Sequence, residues 1–397
     1  MPISLIGVAA VAPVRQNYHP MKIAPLVATG LALSDAQKLR YIRQTVIAEF
    51  SMQGQERLNA ARVLCVGAGG LGSPVLLYLA AAGVGNIGVM DFDVVDESNL
   101  HRQILFGTRD IGKNKAEVAK EKLIELNPHI KIQAIASRLD THNVIEIFSG
   151  YDIVVDATDN FATRYLINDA AVLLNKPYVW GSVNQFDGQA AIFWNTHGPC
   201  YRCLHPKPPA PETVQNCAEA GVIGALCSTI ASLQVNEVIK AITGIGEIQI
   251  GKLIIFDALE SSFTKLDIRK DLSCVMCSAQ TTQAALLEDY EEFCGNRISS
   301  EISAQGLQDK FVNGEEFVLI DVREPSEFEQ SRIPNSILIP KNQFEDLSAL
   351  QLLPQDKEII LHCRSGVRSA QCLEIIQEAG FNNSRHLRGG ILAWESL

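Results

Sequence analysis

Three groups of residues in this chain have the types and spacing that chemistry needs. The first is a glycine cluster, Gly67, Gly69, Gly70 and Gly72, directly after the apolar run Val63, Leu64, Cys65 and Val66. A strand running into such a turn, and then into a helix, aims backbone N–H groups and the positive end of the helix at a phosphate. The first glycine allows the turn, the next ones let the backbone approach a ligand, and the last lets the helix pack closely on the strand. Asp91 ends the next apolar run, where a carboxylate can accept hydrogen bonds from a ribose diol. The pattern suits a dinucleotide as well as ATP, and a tight turn without a ligand is the bland alternative. Asp159 follows a later apolar run, at 152–156, where an acid opposite a nucleotide is a natural Mg²⁺ partner. Lys115 and Arg102 can neutralise phosphate oxygens and stabilise charge that develops at the α-phosphorus. Singly each reads as a surface ion pair; converging on strand ends, they read as a site.

The second group is two C-x-x-C pairs, Cys200 with Cys203 and Cys274 with Cys277. Together they suggest one tetrahedral zinc site whose four positions are all filled by protein, and which is therefore structural. Unrelated buried thiols or a redox pair are the alternatives, and the redox reading wants a helix N-terminus that neither pair clearly has. Between the pairs lies a proline-rich stretch ending in Cys217, which a mobile loop can carry to a reactive carbonyl. An incidental thiol is the competing reading there. The third group is Cys363, Arg364, Ser365, Gly366, Val367 and Arg368. A strand at 358–362 delivers the thiol to a loop with a helix behind it. Backbone N–H groups, the helix dipole and two arginines are expected to surround the sulfur and stabilise a thiolate, a persulfide anion or a bound oxyanion. The rival is a phosphatase loop, but Arg368 falls one place short of the spacing that phosphate-sized loops show by resemblance, which favours sulfur.

The elements that must hold these groups follow from periodicity. Strand patterns at 62–66, 87–91, 130–135 and 152–156 alternate with helix patterns at 73–82 and 113–126, which predicts a mostly parallel sheet with its ligand at the carboxyl ends of the strands. Ser34 or Asp35 caps an earlier helix that carries the basic segment 40–44, in which Arg43 reads from spacing alone as a solvated face. A polar, acidic linker at 281–297 leads to a second domain, 298–397, with strands at 317–321, 337–339 and 358–362 and helices at 324–330, 369–379 and 390–395. The chain has 397 residues, enough for two domains, and 47% hydrophobic content supports sizeable cores. Its net charge of −11 comes without a basic block, which argues against nucleic acid as the main ligand. Residues 1–33 read as an extension; no positive residue precedes their apolar run and no run reaches membrane-spanning length. Ten cysteines in a chain this long point to metal binding or catalysis rather than to a secreted disulfide scaffold.

On these motifs, residues 38–280 resemble the MoeB/ThiF family, relatives of ubiquitin-activating enzymes. The resemblance rests on Arg40, Tyr41, Arg43 and Gln44; the glycine turn; Asp91 and Asp93; Ser98, Asn99, Leu100, Arg102 and Gln103; Gly112 and Lys115; Ala157, Thr158, Asp159, Asn160, Thr163 and Arg164; and both cysteine pairs. Residues from about 298 to 397 resemble a rhodanese, through Asp321, Val322, Arg323, Glu324 and Pro325, the Cys363 loop, and Gly389, Gly390, Ala393 and Trp394. One departure is Ser331, Arg332, Asn335 and Ser336 around Ile333 and Pro334, where Gly-His-Ile-Pro-Gly-Ala is more usual; it touches turn detail only. The combination is similar to the molybdopterin-synthase sulfurylases.

The resemblance implies an α/β protein: a Rossmann-like, mostly parallel sheet with helices on both faces, plus a smaller α/β rhodanese domain. It implies an adenylyltransferase that activates the C-terminal glycine of a ubiquitin-like sulfur carrier with Mg²⁺-ATP, and a sulfurtransferase that supplies persulfide sulfur from Cys363. Arg43 would then reach the ATP of a partner subunit in a homodimer. Ser98, Asn99, Gln103 and Asn160 would join the ATP site, and Cys217 would attack the acyl-adenylate or join sulfur transfer. A sulfur donor such as a cysteine desulfurase, a cytoplasmic location and no membrane contact go with this reading. Molybdopterin, thiamine and tRNA thiolation all use such chemistry, molybdopterin being favoured. A dehydrogenase leaves the cysteine pairs and the Arg43 segment unexplained, and a non-catalytic docking module leaves Asp159 and Lys115 without a use.

Overall fold

A computed structural model of the chain describes residues 23–209, 221–279, 281, 284–294, 300–355 and 357–397; Cys217 lies outside them. The chain divides into two compact units. One comprises Met1–Asp159, Ile167–Pro206 and Cys217–Ala285; the other comprises Asn160–Leu166, Lys207–Asn216 and Leu286–Leu397.

The N-terminal elements are α1 (Asp35–Arg40), α2 (Ile42–Thr45) and α3 (Ser51–Ala60). Ser34 and Gln37 cap α1 reciprocally. The expected single helix breaks at Tyr41, whose ring is buried and whose hydroxyl accepts from Asn127 Nδ2 at 2.8 Å. The core then alternates β1 (Arg62–Val66), α4 (Gly72–Ala82), β2 (Asn86–Met90), α5 (Lys115–Leu126), β3 (Lys131–Ile135), α6 (Val144–Ser149), β4 (Ile153–Asp156) and α7 (Phe161–Leu173). α5 starts at Lys115 rather than 113 because the Asn114 side chain accepts from the Glu117 N–H and caps it there.

The eight-stranded sheet has the order β3-β2-β1-β4-β5-β6-β7-β8, with β5 (Tyr178–Asn184), β6 (Asp187–Phe193), β7 (Lys252–Asp257) and β8 (Ser262–Asp267) completing it. Pairing is parallel from β3 to β5 and antiparallel beyond. The antiparallel edge is absent from the sequence reading. Only Gln185 and Phe186 separate β5 from β6, a connection too short for a crossover, so a hairpin is the one geometry left. Helices α8 (Tyr201–Leu204) and α9 (Gly224–Thr243) lie between β6 and β7 in the chain. Val63 and Cys65 of β1 join a cluster with Leu76 of α4, Val118 of α5 and Ile230 of α9, while Leu64 is buried outside that cluster, on the opposite face. Both faces are thus covered, which a parallel sheet requires. Val66 pairs with Met90 on one side and Asp156 on the other, so the three strands end level. The chain order reverses between β1 and β4, and that switch point opens a crevice.

The second unit holds a five-stranded parallel sheet, β11-β10-β12-β13-β9, made of β9 (Glu301–Ile302), β10 (Phe317–Asp321), β11 (Ile337–Leu338), β12 (Glu358–His362) and β13 (Ser384–Leu387). Its helices are α10 (Tyr290–Phe293), α11 (Ala304–Asn313), α12 (Pro325–Gln330), α13 (Lys341–Glu345), α14 (Val367–Glu378) and α15 (Gly390–Trp394). Ile359 and Leu361 pack into one cluster and Ile360 into another, one for each face of β12. Among the described residues, no helix is long and apolar enough to cross a membrane.

Candidate functional site

The glycine turn sits at the switch point. Gly67 N–H donates to Met90 O at 2.8 Å, tying the turn to the end of β2. A Cβ at Gly72 would lie 2.0 Å from the Gly67 carbonyl oxygen, so no other residue closes this turn onto α4. Gly69 is different: a Cβ there would meet only Gln103 Nε2, at 3.6 Å, which leaves its backbone open to a ligand. Asp91 is fastened to the turn, with Oδ2 accepting from Ala68 N–H at 2.8 Å and Oδ1 from Asp93 N–H at 2.9 Å. Burial pushes its carboxyl pKa up, and the two N–H groups and the Lys115 ammonium only partly offset this.

Cations border the turn. Lys115 is buried, and its Nζ lies 3.1 Å from Asp93 Oδ2. Arg102 donates through Nη1 to Ser98 O at 3.1 Å, and its side-chain carbons pass 3.5 Å from the place of a Gly70 Cβ. Asp96 caps this turn, its Oδ1 accepting from the Ser98 N–H and hydroxyl, and Asn99 Nδ2 donates to Ser98 Oγ at 3.4 Å. Gln103 is buried, with Oε1 lacking a partner among the described residues. At the end of β4, buried Asp156 accepts from Thr158 N–H and hydroxyl and turns the chain outward, leaving Asp159 and Asn160 exposed. Asn160 Oδ1 accepts from Thr163 N–H at 2.8 Å and so starts α7. Arg43 is exposed on α2 and has no hydrogen bond or ion pair among the described residues. One neighbour of the turn escaped the sequence reading: Cys227 Sγ stands 3.1 Å from the place of a Gly70 Cβ. Nothing local signals that contact, because α9 lies far along the chain.

The four cysteines of the two pairs converge. Cys200 Sγ is 3.9 Å from Cys203 and 3.6 Å from Cys274, and Cys203 is 3.4 Å from Cys277. A tetrahedral zinc with bonds of about 2.3 Å needs sulfurs about 3.8 Å apart, so the set fits a structural metal ion such as zinc. The knuckle between Cys200 and Cys203 is anchored on α7. Arg202 donates to both Asp169 oxygens, at 2.8 and 2.7 Å, and Tyr201 N–H donates to Asn168 Oδ1 at 2.8 Å. A fully buried, bidentate pair of this kind fixes position more than it adds stability.

In the second unit, Cys363 directly follows β12 and is buried. Its sulfur accepts from Gly366 N–H at 3.1 Å and lies 3.5 Å from the Ser369 hydroxyl, the donor of that pair. Gly366, at φ +96°, bends the backbone so that α14 starts at Val367, two residues earlier than expected. That early start moves Arg368 into the first turn, where both terminal nitrogens donate to Glu327 of α12 at 2.7 Å. Arg364 is exposed. Among the described residues neither arginine donates a hydrogen bond to the sulfur. The Glu327 hydrogen bonds raise the Arg368 pKa, but Arg368 and Cys363 also interact through charge, which helps to raise it. Burial works against a thiolate, but the Ser369 hydroxyl and the N–H groups of Ser369, Ser365 and Gly366 outweigh it, and the thiol pKa falls below its ordinary value. His362, fully buried 3.7 Å from Asp321, stays neutral, since burial lowers its pKa to about 4. Ser369→Ala is expected to move the midpoint of Cys363 alkylation upward in pH, with the wild-type midpoint below that of a free cysteine; rates of iodoacetamide labelling against pH check it.

Two family models match the chain. The ThiF family matches residues 41–276. The chain belongs to the ThiF family. A rhodanese-like domain matches 303–397, so this ThiF-family chain carries a second catalytic module. It is 47% identical over 384 residues to a protein of Mycobacterium tuberculosis named probable adenylyltransferase/sulfurtransferase MoeZ, covering 94% of this chain and 96% of the relative. It is 52% identical over 263 residues to a sulfur carrier protein adenylyltransferase of Thermus thermophilus, covering 65% of this chain and 97% of that one. Among solved structures, E. coli MccB with ATP superposes with a TM-score of 0.54 at 25% identity, over 60% of this chain and 73% of that one. The chain is an enzyme, an adenylyltransferase joined to a sulfurtransferase. Adenylyl transfer makes ATP its substrate.

Proposed function

We propose that this enzyme adenylates the C-terminal glycine of a ubiquitin-like sulfur carrier ending in Gly-Gly, then converts the acyl-adenylate to a thiocarboxylate with sulfur borne by Cys363. The observation that carries the reading is a thiol cradled by backbone N–H groups in a chain that also holds a nucleotide turn at a sheet switch point. The relatives named for sulfur-carrier adenylation and sulfur transfer support it.

In the adenylating domain, taken as 34–280, the backbone of Gly67, Gly69, Gly70 and Gly72 faces the phosphates and Asp91 takes the ribose. Ser98, Asn99 and Gln103 would join this site, with Asn160 as a further candidate. Arg102 and Lys115 stabilise charge at the α-phosphorus, joined by Arg43 of a partner subunit in a homodimer. Arg43 suits that part because its guanidinium is exposed with no hydrogen bond or ion pair among the described residues. Asp159, an exposed carboxylate at the strand end, would hold Mg²⁺, whose charge neutralises the phosphates. The carrier carboxylate attacks in line and pyrophosphate leaves; positioning and electrostatics suffice. The linker is 281–297 and the rhodanese domain 298–397. There Cys363 takes a sulfane sulfur from a donor such as a cysteine desulfurase. The terminal persulfide sulfur attacks the acyl carbon and AMP leaves. A second thiol, with Cys217 as the candidate, then attacks Cys363 and frees the thiocarboxylate, leaving a disulfide for an external thiol to reduce. The setting is cytoplasmic, and the molybdopterin pathway is favoured over thiamine and tRNA thiolation.

Candidate carriers incubated with the enzyme, ATP and a sulfur source are examined by mass spectrometry. The expected product is one carrier with an oxygen-for-sulfur exchange at its C-terminal glycine. An unmodified set of carriers, with AMP released onto another substrate, would overturn the reading.

A further inference from the structure

Lys115 presents a problem that its proposed role does not solve. Its side chain is only 7% exposed, and an ammonium removed from water must be paired. Among the described residues, the one hydrogen-bond acceptor of Nζ is Asp93 Oδ2, at 3.1 Å. Asp93 does more than this. Its own N–H donates to Asp91 Oδ1 at 2.9 Å, and its carbonyl accepts from Lys115 N–H at 2.9 Å and from Asn114 Nδ2 at 3.2 Å. Asn114 in turn caps α5. One residue thus ties down the acid that ends β2, the first residue of α5 and the ammonium that residue carries. The charged neighbours of Lys115 are Asp91 and Asp96 besides Asp93. Asp91 spends its oxygens on Ala68 and Asp93 N–H, and Asp96 spends one on Ser98. The half-exposed carboxylate of Asp93 is the one that reaches Nζ.

We propose that Asp93 is a positioning residue of adenylyl transfer: its carboxylate holds the Lys115 ammonium where charge develops at the α-phosphate, while its main chain sets the Asp91 carboxylate. The proposal rests on the Lys115 assignment made above. It separates the two functions of residue 93. Asp93→Asn keeps the backbone bonds to Asp91 and α5 and removes only the carboxylate charge that faces Nζ, so ground-state ATP binding through the turn persists and the transition-state contribution is lost.

The test is ATP–pyrophosphate exchange with a Gly-Gly carrier, in wild type, Asp93→Asn, Lys115→Met and the double variant, with Asp93→Glu as a charge-keeping variant. Expected are a fall in kcat of roughly ten- to a hundred-fold in Asp93→Asn with KM for ATP within about three-fold, since small misplacements of a catalytic group carry costs of that size. The double variant should lose no more than Lys115→Met, and Asp93→Glu should recover part of the rate. Multiplicative losses in the double variant, an unchanged or raised kcat in Asp93→Asn, or a change confined to KM would overturn the proposal while leaving the Lys115 assignment standing. Full exchange in Lys115→Met would remove that assignment and this proposal together. If Asp93→Asn does not fold, a rate in Asp93→Glu equal to wild type with no dependence on Lys115 overturns it, and a reduced rate that vanishes as a difference in the Lys115→Met background supports it.

Discussion

Asp159→Ala is expected to abolish ATP–pyrophosphate exchange, and Cys363→Ala to leave exchange at the wild-type rate while abolishing thiocarboxylate formation. The first effect follows from charge. Asp159 is exposed at the end of β4, so its removal changes stability little. Without it the triphosphate loses its metal partner, worth several kcal/mol of transition-state stabilisation, or at least about 10³-fold in rate. The second follows from the division of labour. Adenylation needs no protein nucleophile, whereas sulfur transfer needs the one sulfur that Gly366 and Ser369 cradle. Radiolabelled pyrophosphate exchange and intact-mass analysis of the carrier, run on both variants, read the two half-reactions separately. Loss of exchange in Cys363→Ala would sink the division of labour. Retained exchange in Asp159→Ala would remove Asp159 from the site.

Gly72→Ala is expected to eliminate ATP binding and lower the melting temperature, while Gly69→Ala spares the fold and weakens binding. The difference is geometric. A Cβ at position 72 would stand 2.0 Å from the Gly67 carbonyl oxygen, a backbone atom that cannot step aside without opening the turn. Overpacking typically costs about 1–3 kcal/mol, and a clash with backbone belongs at or above the top of that range. Once the turn opens, Ala68 N–H leaves Asp91, and the ribose acid loses its alignment. A methyl at position 69 meets only the Gln103 amide and intrudes instead on the space above the turn. Calorimetric ATP titration paired with thermal unfolding distinguishes the cases; equal melting temperatures for Gly72→Ala and wild type would contradict the packing argument.

Much was legible before any coordinates. β1, β2 and β4 are short apolar runs buried along most or all of their length, and their periodicity and their glycine and acid termini mark them locally. The cysteine pairs carry their own geometry in their spacing. The antiparallel edge was not legible, because β8 is exposed at every residue and the buried run that opens β5, Tyr178 to Gly181, says nothing of the direction of its partner strand. The partner of Arg368 was hidden for a related reason. Spacing places Arg368 near the sulfur, with which it interacts through charge, and its hydrogen bonds go to Glu327, which comes from α12.

The sequence alone determined the chemistry on offer: a phosphate-facing turn, an acid for a ribose, a four-thiol metal set and a reactive sulfur at a strand end, all of them local patterns. Only the tertiary structure decided which charges face one another. Asp93 on Lys115, Glu327 on Arg368 and Asp169 on Arg202 are pairs joined across separate elements. Ion pairing depends on distance in space, and short-range sequence patterns carry no record of it.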